Sequence, residues 1–269
     1  MIEAKVILGS KAPHGGVIWS IAAKYHRFIH GEVMTHRVFS RNAMSSRAVP
    51  VKKIIAQVWN DPAMPVHWGS NQAGMQAGAP LAGWRLAAVK FGWRAASKLA
   101  CIFAWGFMKA GLSKQIANRV LEPWQWMYTI ITATYWDNFF ALRDHEKAEP
   151  HLRDLAVAIR EAMAAYVPQE LAEGEWHLPY APTDKGYELR DQLIVSAASC
   201  ARVSYLNHEG KESTLVEDAK LFHRLVGSMP IHASPIEHQA KAANSAGTTS
   251  NNFRGWLQYR ELYEAQLRA

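Results

Sequence analysis

Between Met34 and Pro50 the chain reads MTHRVFSRNAMSSRAVP, which sets three arginines, a histidine, three serines, a threonine and an asparagine together with no acid among them. Guanidinium forks bind phosphate oxygens bidentately, and hydroxyl and backbone N–H groups complete such a shell, so these residue types suit the grip of a specific anion. The sequence has no G-x-S-x-G elbow, no Walker loop and no G-x-G-x-x-G. Bound phosphates would therefore be held by side-chain clamps. His26, His30 and His36 raise the idea of a metal site, since residues four apart share a helical face. No carboxylate or cysteine stands at matching spacing and Arg37 opposes a cation beside His36, so no metal is expected. Cys101 and Cys200 sit among apolar and small residues, which argues against a disulfide framework and against an activated thiolate.

These groups have to be positioned by a folded core. At 269 residues and 49% hydrophobic content the chain can bury one large core or two small ones. A formal charge of +7 favours polyanionic partners: nucleic acid, a membrane surface, or several phosphorylated small molecules held together. The N-terminal MIEAKVILGS lacks the pattern of a signal peptide, and the apolar run Leu99 to Met108 is half of what a bilayer crossing needs. A reducing, cytoplasmic setting without membrane attachment is expected.

Strands are expected over residues 4 to 8 and 17 to 23 around the turn KAPHGG, and a long helix or helix pair from Gly83 to about Gly111. A new apolar segment starts at Pro123. Leu152, Leu155, Ile159 and Met163 mark one face of a helix that opens on Glu149–Pro150 and stops before Pro168. Residues 171 to 185 read as a connecting loop. Thr214 and Glu217 form a capping box ahead of a stripe at Leu215, Ala219, Phe222 and Val226, and Gly227 ends that helix. The tail reads as a polar loop followed by a short helix. Trp84, Trp93 and Trp105 have apolar helical neighbours and are expected in the core or a subunit interface. Eleven tryptophans beside many arginines also allow a nucleic-acid-binding reading, which these neighbours disfavour.

THRVFSRNAMSSR resembles the signature of the flavin-dependent thymidylate synthases, the ThyX family, which runs R-H-R-x-x-S-x-N-x-x-S-x-R. It matches at His36, Arg37, Ser40, Asn42, Ser45 and Arg47. A second segment, residues 118 to 158, is similar to the family's A-R-x-x-L-P and N-F-x-x-L-R elements at Arg119, Asn138, Leu142, Arg143 and Ala148. CARVSYLNHEGKES and MPIHASPIEH resemble the A-A-R-V-S and H-x-T-P-F-E-H elements at Ala201, Arg202, Val203, Ser204, His232, Pro235, Glu237 and His238, with Ser234 in place of threonine. In the family this last pair comes first, so the chain resembles a circular permutation. Joined surface termini and a newly opened loop can leave a packed fold unchanged.

The resemblance implies an α/β (α+β) fold, a mixed sheet with packed helices in one large domain, assembled as a homotetramer with sites at subunit interfaces. Residues 1–50 would hold a strand and the arginine signature, 116–167 the nucleotide-binding helices and 188–240 the flavin-binding segment; the helical, tryptophan-rich 52–115 has no counterpart. It implies FAD as cofactor, NADPH and methylenetetrahydrofolate as co-substrates, and conversion of dUMP to dTMP. Ser45, Ser46, Arg47, Arg119 and Arg143 would bind the nucleotide, with Arg143 and Arg47 as catalytic residues and Arg143 set against the uracil ring. His36, Arg37, Asn42, Asn138, Ser204, His232 and Ser234 would contact the flavin. Glu237 and His238 are expected to be a structural hydrogen-bonded pair. Thr35 and Ala43 replace a family arginine and glutamate, and Lys147 and Glu149 a histidine and glutamine. These departures leave open a related methylase or C5 hydroxymethylase acting on dUMP or dCMP.

Overall fold

The computed structural model describes residues 1–205 and 213–268; the part of CARVSYLNHEGKES from 206 to 212 lies outside them. Alternating apolar residues and the turn at Gly15, whose φ of 90° suits glycine, fold the N-terminus into an antiparallel hairpin of β1 (Glu3–Lys11) and β2 (Val17–His26). The chain continues through a short helix α1 (His30–Val33), strand β3 (Ser40–Ala43), and helices α2 (Val51–Asn60), α3 (Gly83–Lys109) and α4 (Lys114–Ala117). The apolar segment after Pro123 splits into β4 (Trp126–Ala133) and α5 (Asp137–Arg143), followed by α6 (Pro150–Ala164). Then come β5 (Gln169–Glu170), β6 (Trp176–His177), α7 (Leu189–Arg202), α8 (Leu215–Leu225), β7 (Ala240–Ala242), β8 (Thr249–Ser250), β9 (Phe253–Arg254), β10 (Trp256–Gln258) and α9 (Tyr259–Arg268). The stretch expected to be only a loop, 171 to 185, thus carries one short strand.

The main sheet has the order β3-β4-β2-β1-β5 and is mixed: β1 and β5 run parallel, the other neighbours antiparallel. A three-stranded sheet, β10-β7-β6, packs beside it. The fold is a single mixed α/β domain. Successive residues of β4 point to opposite faces. Met127, Ile131 and Ala133 enter the large core with Leu152, Leu155 and Ile159 of α6, Ile54 and Val58 of α2, and Ala100 and Ala104 of α3. Ile130 faces the other way, onto Cys200 and Val203 at the end of α7. Helix starts follow local chemistry: the Glu149 side chain accepts from Leu152 N ahead of Pro150, and Thr214 with Glu217 forms a full capping box.

One polar chain crosses this second face. Ser10 Oγ meets His177 Nδ1 at 2.8 Å, His177 Nε2 meets Ser20 Oγ at 2.9 Å, Ser20 bonds Thr132 at 2.7 Å, and Thr132 Oγ1 meets His238 Nδ1 at 2.8 Å. His238 therefore does not pair with Glu237, which is salt-bridged to Arg260 at 2.6 Å instead. The expected Glu237–His238 pair is corrected: side chains of adjacent residues leave this turn on opposite sides. Burial pushes both His177 and His238 down to about 3, with His238 adding to the effect at His177.

A histidine whose folded pKa lies below its unfolded value stabilises fully above about pH 6.5 and loses that contribution as pH falls toward the folded value. Chemical denaturation at pH 7 and at pH 5 should therefore differ by about 2 kcal/mol for each of the two imidazoles. A His238→Asn variant should lose about half of that pH dependence; an unchanged slope would count against neutral buried imidazoles.

Candidate active site

The loop after β3 is fixed by contacts from two directions. Met44 N donates to Tyr128 O at 2.8 Å on the sheet, and Ser45 N donates to Ser204 O at 3.0 Å just past α7. From the turn before β4, the buried Asn118 side chain donates to Ser46 O at 2.8 Å and Val49 O at 2.9 Å. Glu122 gathers the neighbouring polar groups: it pairs with Arg27 at 2.7 Å and Arg119 at 2.9 Å, and accepts from Ser46 Oγ at 2.9 Å. Ser46 is buried on this carboxylate and Arg119 pairs with it at the surface. Neither lines the cleft described next.

That cleft has a volume of about 550 Å³, within the range of small-molecule sites. Its walls bring together the two ends of the sequence. Asn42, Ser45 and Arg47 come from β3 and its loop, Ser204 from the end of α7, and His232, Ser234 and Pro235 from the turn after α8. Lys114 and Gln115 of α4, with Ser113 before them, close a third side. Among the described residues no acid lines the cleft. The Arg47 guanidinium is exposed and has no carboxylate partner among the described residues. Lys114 donates to Ala48 O at 3.1 Å, so its ammonium is held beside that arginine's loop. The arrangement is a positively charged, hydroxyl-lined slot for an anionic ligand.

Asn42, Ser45, Arg47, Ser204, His232 and Ser234 thus converge as the sequence suggested. Ser113, Lys114 and Gln115 do not follow from the motifs. Their signal was the acid-free stretch from 62 to 121, in which the basic residues lack carboxylate neighbours in sequence.

A second cluster lies at the end of α5. Arg143 Nε donates to His36 Nε2 at 2.9 Å, and its Nη2 lies 3.4 Å from Thr35 Oγ1. Accepting that bond requires a lone pair on His36, so the imidazole is neutral. Burial, then the cations of Arg143 and Arg41, hold it down at about 4. Thr35 matters here, because an arginine at that position would set a like charge against Arg143. Within one chain Arg143 is not among the residues lining the cleft of Arg47. Arg37 and Asn138 are exposed and also stand outside it.

Fold and cleft together define a mixed α/β protein with a cationic cleft built on a strand, a loop and a helix end. No protein-family model matches the sequence, and no curated protein matches it. Among solved structures the chain is similar to the UMP/dUMP methylase PolB from Streptomyces cacaoi bound with 5-Br UMP, at 15% identity over 61% of this chain and 89% of that one, TM-score 0.50. The same methylase bound with 5-Br dUMP gives 17% identity, 55% and 67% coverage and TM-score 0.45. The flavin-dependent thymidylate synthase ThyX from Helicobacter pylori, complexed with FAD and dUMP, gives 16%, 56% and 69%, and TM-score 0.38. At such identities the likeness is one of fold: the chain has the ThyX-like fold that its motifs suggested.

Removing the Asn118 side chain leaves two loop carbonyls without donors. Asn118→Ala should cost about 1–3 kcal/mol in thermal or chemical unfolding. It should also raise protease cleavage between residues 44 and 50 relative to the parent; unchanged stability would show that the loop is held by other contacts.

Proposed function

We propose that this protein is a ThyX-like, flavin-dependent pyrimidine nucleotide methylase that converts dUMP to dTMP. The observation that carries the reading is the cleft, free of acids among the described residues, in which Asn42, Ser45 and Arg47 meet Ser204, His232 and Ser234. Two motif groups far apart in the chain line one cleft, as a permuted ThyX arrangement requires. The fold likeness to a UMP/dUMP methylase supports the same class.

Arg47 and the Ser45 hydroxyl, with Lys114 beside them, suit the nucleotide phosphate: two cations and a short donor can surround its oxygens. Asn42, Ser204, His232 and Ser234 supply the neutral and exchangeable donors that a flavin cofactor's polar edges and phosphates need, so the donor set fits FAD. Bound there, FAD supplies reducing equivalents drawn from NADPH and carriage of the carbon unit from methylenetetrahydrofolate. The chain's own part is positioning and charge. Arg143 is poised by neutral His36 and stabilises negative charge on the pyrimidine ring as C5 attacks. It reaches the ring from a second copy in a homotetramer, because its own chain's cleft does not include it. Neither cysteine serves as a nucleophile toward the base: burial raises the thiol pKa of both Cys101 and Cys200.

The test is to purify the protein, release and identify its flavin, then mix the holoprotein anaerobically with NADPH, methylenetetrahydrofolate and either dUMP or dCMP. The expected product is dTMP, identified by mass; a hydroxymethyl product or reaction of dCMP alone would move the assignment to the related enzymes. Arg47→Ala should raise the KM for the nucleotide about 10- to 100-fold, the loss of one charge-assisted contact set. Arg143→Ala should keep the flavin spectrum and lose turnover; full activity would remove Arg143 from this role.

A further inference from the structure

Helix α3 has 27 residues and spans about 40 Å. Its buried side, Ser97, Ala100, Cys101 and Ala104, packs into the large core with α2. The opposite side carries tryptophans and phenylalanines in water: Trp84 is 78% exposed, Phe91 76% and Trp105 54%, with Phe103, Leu99 and Ile102 also more than half exposed. Of the expected core or subunit-interface placement, the core half therefore does not hold for Trp84 and Trp105; Trp93 alone of the three turns inward, donating to Ala63 O at 3.2 Å.

The outer face has a regular order. Ala88, Gly92, Ala95, Leu99, Ile102 and Gly106 alternate in spacings of four and three, the a/d repeat of a helix pair. Between Ala88 and Gly106 no charge interrupts this seam; the next positions of the repeat, at the two ends of the helix, are Arg85 and Lys109. Small residues occupy its N-terminal half and the large aliphatics follow. An antiparallel second copy sets Gly92 against Ile102 and Ala95 against Leu99, small opposite large, whereas a parallel copy sets glycine on glycine and leucine on leucine. Of the five cations of this helix, Lys98 is drawn 4.5 Å over the Trp59 ring of α2 and Lys109 lies 5.5 Å over Trp105; Arg85 at one end of the seam faces Lys109 of the other copy in this register.

We propose that α3 is a self-docking face on which two copies of this chain pair antiparallel, in the register that joins Gly92 to Ile102. Large aromatic side chains present about 150–250 Å² each, so the exposed rings with Leu99 and Ile102 offer on the order of 800 Å² per copy, one partner's share of a standard interface. An anionic bilayer surface would gain from the rings and the cations but leave the groove of alanine and glycine unfilled, whereas another helix fills it. The pairing stands independently of the catalytic reading. Its reach extends to the cleft, because Ser113, Lys114 and Gln115 begin four residues after α3 ends.

The full-length protein at micromolar concentration is compared by light scattering with its Leu99→Arg and Ile102→Arg variants. Each substitution should lower the mass two-fold with an unchanged circular dichroism spectrum, since both positions face outward. A Gly92→Cys/Ile102→Cys double variant should form a disulfide-linked dimer under mild oxidation. Each single variant should link at least ten-fold less, because equal positions lie about 15 Å apart in this register. A monomeric parent, a mass insensitive to both arginines, or single cysteines that link as readily as the pair would overturn the proposal. A monomer that cosediments with phosphatidylserine vesicles would overturn it too, and assign the face to a bilayer.

Discussion

The fold depends on Thr132. From the middle of β4 its hydroxyl bonds Ser20 on the neighbouring strand and His238 from the far end of the chain. A buried hydroxyl without partners is costly, and the same low dielectric strengthens a chain that is satisfied. The link therefore fixes where the turn from Ser234 to Glu237 can sit, against β3. That placement puts His232 and Ser234 across from Asn42 and Ser45, so the cleft follows from a hydrogen bond made outside it.

Charge is divided between two neighbouring sites by one carboxylate. Glu122 pairs with Arg27 and Arg119 and also accepts from Ser46. With that acid engaged, Arg47 and Lys114 face the cleft without a competing carboxylate among the described residues. The same logic holds at the second cluster, where Arg143 is oriented by a neutral imidazole rather than neutralised by a carboxylate. Both arginines are thereby left without a carboxylate partner among the described residues, and partly exposed cations of this kind project their field over distances set by ionic strength.

Much of this was legible in the residues. The capping box at Thr214, the Pro150 helix start and the β1–β2 hairpin follow from local chemistry, and the structure has all three. The signature predicted the Asn42, Ser45 and Arg47 wall because strand and loop keep those residues on one side. Tertiary partners were not legible. Ser46 and Arg119 looked like anion ligands, and only the approach of Glu122 shows where they point. The outward tryptophans of α3 were unreadable for a similar reason: an apolar helix of this length has the same composition whether its second face meets its own core or another chain.

The cleft's walls are far apart along the polypeptide, with Asn42 and Ser234 separated by 192 positions in a chain of 269. Contacts this distant in sequence carry a large loop-closure cost and form slowly. During synthesis the β1–β2 hairpin and β4 can assemble early, but one wall of the anion slot is still missing until the residues around Ser234 have left the ribosome. A growing chain therefore passes through a period in which Thr132 and its apolar neighbours have no cover, and that half-built sheet is where nascent molecules are most open to chaperones and to one another.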